Sequence, residues 1–130
     1  MLTIYTMTLD VPQADVDFFA NQMRKITVES KRQVIVRLSP EMNGNWNNYG
    51  QQPVRYIAMW RRIVDAVRAQ APEVAFIWSP SSGEGYPYGG HAASPANISA
   101  APSPADIALM DTNNDGILDA RGKYEYLNIR

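Results

Sequence analysis

One carboxylate in this sequence is set apart by its neighbours. Glu41 follows the apolar run 34–38 (VIVRL) and is succeeded by Asn43, Asn45, Trp46, Asn47, Asn48 and Tyr49. Side-chain amides satisfy hydroxyl groups, aromatic faces stack on pyranose C–H surfaces, and a carboxyl group can protonate a glycosidic oxygen as general acid. Together these are the parts of a sugar site. The same residues would also serve as a polar loop that caps the following helix.

A second cluster lies near the C-terminus. Asp111, Asn113, Asp115, Gly116 and Asp119 form D-x-N-x-D-G-x-x-D. Oxygen ligands alternate and a glycine follows the third of them, as in a calcium loop of EF-hand type. The Ile117 carbonyl and Asp119 would complete the set. Gly122 stands where a bidentate acid belongs. The loop is therefore either a structural calcium clip or a solvated Asx-rich turn. No other cofactor is expected.

The remaining candidates carry less. His91 is the only histidine and there is no cysteine, so a His/Cys metal site or a thiol nucleophile has no material. Gly83-Glu84-Gly85 lacks the Lys and Ser/Thr of a phosphate loop. Tyr86 and Tyr88 suit a glycan cleft and a plain turn equally well. Glu84 reads best as an exposed loop carboxylate.

These residues need a scaffold, and the composition permits one. The chain has 130 residues, 45% of them hydrophobic, which fits one packed domain. Twelve basic against 13 acidic residues leave a net charge of −1, which argues against a nucleic-acid partner. No apolar run reaches the ~18 residues of a membrane span. The first residues, MLTIYT, do not resemble a secretory signal. That leaves a cytoplasmic protein or a chain that begins downstream of its natural start.

Residues 2–9 are Thr-, Ile- and Tyr-rich and predict a strand. Pro12 suits a helix first turn, and Val16, Phe19, Met23 and Ile26 supply its apolar stripe. Residues 34–38 predict a buried strand and 39–52 a polar loop. Pro53 opens a second helix with Ile57, Trp60, Val64 and Val67 inward and Arg61, Arg62, Asp65 and Arg68 in solvent; Ala71-Pro72 ends it. Residues 74–78 (VAFIW) predict a third buried strand. From Ser79 to about Ala105 proline and glycine dominate without periodicity, and 105–110 suit a short helical turn. Strands alternating with helices imply an α/β fold with parallel strands, either an open doubly wound sheet or part of a (β/α)8 barrel. Three strands cannot close a barrel. In both architectures sites lie at the C-terminal strand ends, where Glu41 and Trp78 fall.

The stretch RLSPEMNGNWNNYG resembles the signature R-x-x-H-E-M-N-G-x-W-x-x-W-G of glycoside hydrolase family 26, the β-mannanase-like enzymes. Arg37, Glu41, Met42, Asn43, Gly44, Trp46 and Gly50 match it residue by residue. The resemblance extends over roughly residues 2–90. It implies a partial (β/α)8 TIM barrel, with a strand–helix core at 2–80 and a loop region at 81–130 that contains the calcium-like loop at 111–122.

By this resemblance Glu41 is the acid/base of a retaining hydrolase of β-linked polysaccharide such as β-mannan. Arg37 and Asn43 would support it and contact substrate, and Trp46, Tyr49 and Trp78 would hold sugar rings. Pro40 replaces the family's histidine, which points to altered substrate preference or weaker activity. Tyr49 replaces the second signature tryptophan. The family's nucleophile belongs to a strand this sequence does not include, so the chain alone is expected to be inactive, and the missing strands are expected from a secreted, full-length parent. The alternative is a non-catalytic carbohydrate-binding or calcium-stabilised module.

Overall fold

The computed structural model describes residues 1–44, 47–81, 103–110 and 114. They form a mixed α/β structure. Its elements are β1 (Leu2–Ile4), α1 (Gln13–Arg24), β2 (Ile35–Leu38), α2 (Pro53–Gln70), β3 (Ala75–Ile77) and α3 (Pro104–Met110). The sheet is parallel in the order β1-β2-β3. Contacts divide the chain into two compact units. Met1–Pro40 with Ile57–Ser79 make the first, and Glu41–Tyr56 with the described residues from Pro80 onward the second.

In the first unit Leu2 pairs with Val36 and Val36 with Phe76, while Ile4 pairs with Leu38. These residues share one face of the sheet. Val36 and Leu38 are buried there. Ile4 and Leu38 line a cavity of about 270 Å³ together with Val16 and Phe19 of α1 and Ile63 of α2. Trp60 of α2 meets Phe76 and Trp78 edge-on. Both long helices thus cover the same face, as successive right-handed crossovers running in one direction require. The opposite face carries Thr3, Ile35, Arg37, Ala75 and Ile77; Ile35 is 43% and Ile77 37% exposed.

This corrects the expectation of two buried strands. Only alternate residues of β2 are buried, and β3 is exposed or half-buried throughout. The first strand is also shorter than the expected 2–9. Ser39, at φ 43°, turns β2 away from its neighbour. The Ser39 N–H still reaches the Ile4 carbonyl at 2.7 Å. Beyond it the Thr6 N–H and hydroxyl meet Ser39 Oγ at 3.3 and 2.9 Å, and the ladder ends.

The helix faces are close to expectation, with shifts. In α1 the buried residues are Val16, Ala20 and Met23, and Phe19 is half-buried. A π-helical turn, Lys25–Glu29, continues α1; Thr27 is buried in it and Ile26 is half-buried. Thr27 Oγ1 donates to the Met23 carbonyl at 2.8 Å, which satisfies that buried hydroxyl. In α2 Met59, Ile63, Val64 and Val67 are buried, Ile57 and Trp60 only partly, and Arg61, Arg62, Asp65 and Arg68 are exposed as expected. The Arg62 guanidinium donates to the Val11 carbonyl.

Lys31 closes the α1 segment in left-handed backbone, φ 56°. The Ser30 N–H bonds the Lys25 carbonyl and the Arg32 N–H the Ile26 carbonyl, a helix stop in which glycine is the unstrained residue. Lys31→Gly should therefore stabilise the protein by about 1 kcal/mol. A lower melting temperature in this exposed variant would contradict the assignment.

Candidate functional site

The second unit contains the Glu41 loop. Glu41 lies directly beyond β2 and Pro40, at φ 59°, and is partly exposed. Left-handed backbone costs a residue with a β-carbon roughly 1–2 kcal/mol, so the surroundings must hold it. They do so through a tight turn. The Gly44 N–H bonds the Glu41 carbonyl at 2.9 Å, and the Gln51 N–H bonds the Met42 carbonyl at 2.8 Å. Gln51 is itself left-handed at φ 56°. The two ends of the loop meet at Gly44 and Gly50. A β-carbon on Gly50 would fall inside the Gly44 carbonyl oxygen and lie 2.9 Å from its carbon and 3.0 Å from the Asn47 oxygen.

The loop is braced by buried polar side chains. Gln52 Nε2 donates to the Asn48 and Gly50 carbonyls at 3.0 and 3.4 Å, and its Oε1 accepts from Arg55 at 3.1 Å. Asn43 is 5% exposed. Its Nδ2 donates to the Ser81 carbonyl and its Oδ1 accepts the Ser81 N–H, both at 2.8 Å. This differs from the expectation that Asn43 contacts substrate, because both ends of its amide are already engaged by backbone.

Tyr49 also differs from expectation. It is 1% exposed, and its ring packs on Tyr56 at 5.9 Å between centroids. A ring so enclosed anchors the loop and offers no open face to a sugar. Burial, and secondarily the neighbouring Tyr49, push the Tyr56 hydroxyl well above its ordinary range. Tyr56 therefore stays a neutral post wherever carboxylates titrate.

Arg37 and Trp78 belong to the first unit. Arg37 sits on the open sheet face and its Nε donates to Ser79 Oγ at 2.9 Å. Trp78 is half-buried, edge-on to Trp60 at 5.3 Å. Trp60 Nε1 is buried without a hydrogen-bond partner among the described residues. Trp46, Glu84, Tyr86, Tyr88 and His91 lie outside the described residues, as do the calcium-loop candidates Asp111, Asn113, Asp115, Ile117 and Asp119. Among the described residues no cluster of three metal-ligating side chains occurs.

The structure adds three residues that motif reasoning passes over. Gln51 and Gln52 carry no pattern that marks them. Asp106 does, because Ser103-Pro104-Ala105-Asp106 has the spacing of a capping box. Asp106, 2% exposed, accepts from the Ser103 N–H and hydroxyl at 2.9 and 2.6 Å. Its other oxygen accepts the Val54 N–H at 2.9 Å, so one carboxylate caps α3 and the first turn of α2.

Comparison with protein-family models, curated proteins and solved structures gave no match. No described helix is long and apolar enough to cross a membrane.

Proposed function

We propose that this chain is the acid/base-bearing part of a β/α-barrel glycoside hydrolase of β-mannanase-like type. Its substrate class is β-linked polysaccharide such as β-mannan, and Glu41 is the proton donor. The observation that carries the reading is the state of Glu41. A partly exposed carboxylate is held in left-handed backbone just beyond the C-terminal end of a strand, by a turn braced by the buried side chains of Asn43, Gln51 and Gln52. Strain held at a carboxylate beyond a strand end supports a functional role for it, where the same strain at Lys31 only stops a helix.

Two further points support it. Parallel strands in sequential order with both helices on one face fit a section of barrel wall, as they also fit one βαβαβ half of a doubly wound sheet. The uncovered face would be the barrel interior, with Arg37 projecting into it. The motif around Glu41 also gains a physical reason, since Gly44 and Gly50 are where two backbone segments touch.

In the reaction, Glu41 would give its proton to the glycosidic oxygen as the bond to the leaving sugar breaks. Trp46 would stack on a ring, and Asn43, Gln51, Gln52 and Tyr49 would hold the turn. A second carboxylate about 5–5.5 Å away is needed to attack the anomeric carbon. On this reading it comes from a β/α unit beyond these 130 residues, as does an extracellular setting. The chain alone should therefore bind β-manno-oligosaccharide without turning it over.

The role of Glu41 has a stability signature. Glu41→Gly relieves the left-handed backbone by about 1 kcal/mol while it removes the side chain's own contacts, so any net loss of stability should stay below about 1 kcal/mol. Added oligosaccharide should raise the melting temperature of the parent chain. A destabilisation above about 1 kcal/mol in Glu41→Gly would make Glu41 a structural side chain instead.

A further inference from the structure

Asn43 is engaged in a way that neither a substrate contact nor a simple turn residue requires. Its amide meets the N–H and the carbonyl of a single residue, Ser81, with both distances at 2.8 Å. One side chain thereby imitates the paired backbone bonds of a strand. Its own carbonyl accepts from Gln51 Nε2 at 3.4 Å. Gln51 in turn bonds the Met42 carbonyl through its backbone N–H at 2.8 Å. The chain of bonds runs from Ser81, through Asn43, into the turn that holds Glu41.

We propose that Asn43 is a positioning residue, a two-point latch that ties the Glu41 turn to the Ser81 backbone so that the two bonds and the turn open and close together. Its consequence for ligand binding rests on the carbohydrate reading given above; the latch itself does not. An amide of this length serves at any pH. Ionised aspartate has the acceptor but no donor, and its charge would face the Ser81 carbonyl. Neutral aspartic acid has one donor and one acceptor and restores both bonds. Burial and this hydrogen bonding favour the neutral form, so the introduced acid titrates above the ordinary carboxylate range. The latch in Asn43→Asp is then closed at lower pH and opens as pH rises through that value. The titratable and charged groups on the described segments of this unit are Glu41, Tyr49, Arg55, Tyr56 and Asp106. Repeating the experiment in a Glu41→Gln background removes the nearest carboxylate in sequence.

The test is amide hydrogen exchange of the 130-residue chain, read as the protection of the Ser81 and Gly44 N–H groups against their intrinsic rates. Asn43→Asp should lose about tenfold protection at both amides at about pH 8 and recover it at about pH 5, while Asn43→Gln loses it at both. Equal protection in Asn43→Asp and the parent at about pH 8 would overturn the latch. Loss at Ser81 with Gly44 unchanged would overturn the coupling of Ser81 to the Glu41 turn. A parallel titration with β-mannohexaose separates the two claims. Binding by the parent that weakens with the same pH profile in Asn43→Asp supports both. Absence of binding in every variant overturns the carbohydrate reading, and the exchange profile still decides the latch.

Discussion

Gly50→Ala should cost about 3 kcal/mol or leave the Glu41 loop unable to close. The added β-carbon would overlap the Gly44 carbonyl oxygen and crowd the Gly44 carbon and the Asn47 oxygen. All three are main-chain atoms, so no rotamer change relieves the overlap. The Gly44 carbonyl is fixed in a turn whose other end holds Glu41, and the Gly50 N–H bonds the Asn47 carbonyl at 2.9 Å. Any movement that makes room must open one of these bonds inside a buried loop. Equilibrium unfolding in urea measures the loss, and the exchange protection of the Gly44 and Gln51 amides locates it. A change below about 0.5 kcal/mol would mean that the two backbone segments do not meet as described.

The second large effect is expected at Asp106. Its two oxygens accept from Val54, from the Ser103 N–H and from the Ser103 hydroxyl, and the residue is 2% exposed. Removing an N-cap costs up to ~2 kcal/mol, and bonds to an ionised acceptor are stronger than neutral ones. One carboxylate serves two helix starts here, so Asp106→Ala should cost about 2–3 kcal/mol. Ser103→Ala removes only the hydroxyl and should cost about 1 kcal/mol. The comparison is made by thermal unfolding of the two variants beside the parent. Equal effects would show that the bond to Val54 contributes nothing.

The elements of this protein are largely legible in its sequence, and the reasons are local. Pro12 and Pro53 mark helix starts, Ala71-Pro72 a stop, and apolar spacing finds α1 and α2. The limits come from tertiary causes. β1 stops at Ile4 because the chain turns away at Ser39, φ 43°, just past the neighbouring strand, and nothing in residues 5–9 announces it. In α1 the buried line is Val16, Ala20, Met23 and Thr27, so Ala20 and a threonine take the places that apolar spacing gives to Phe19 and Ile26. One sheet face is exposed or half-buried at the described residues, so runs that look buried are buried at alternate positions in β2 and at none in β3.

At the site, residue types were informative and roles were less so. Glu41 sits where strand-end logic puts it. Asn43 and Tyr49 look like ligand contacts because amides and aromatics make sugar sites, yet both are turned inward to hold the loop. Their partners, Ser81 and Tyr56, are 38 and seven positions away, which spacing along the chain cannot pair. The two glycines are a different case. The motif names them, and only the geometry says why.

The central claim is that Glu41 serves a carbohydrate site, and calorimetric titration of the folded chain with β-mannohexaose tests it most directly. The account predicts saturable binding at about 1 mM or tighter. Binding should be preserved in Glu41→Gln, which keeps the shape of the side chain, and lost in Trp46→Ala, which removes the proposed stacking face. A cooperatively folding sample that gives no heat of binding with this or any other β-linked oligosaccharide would contradict it.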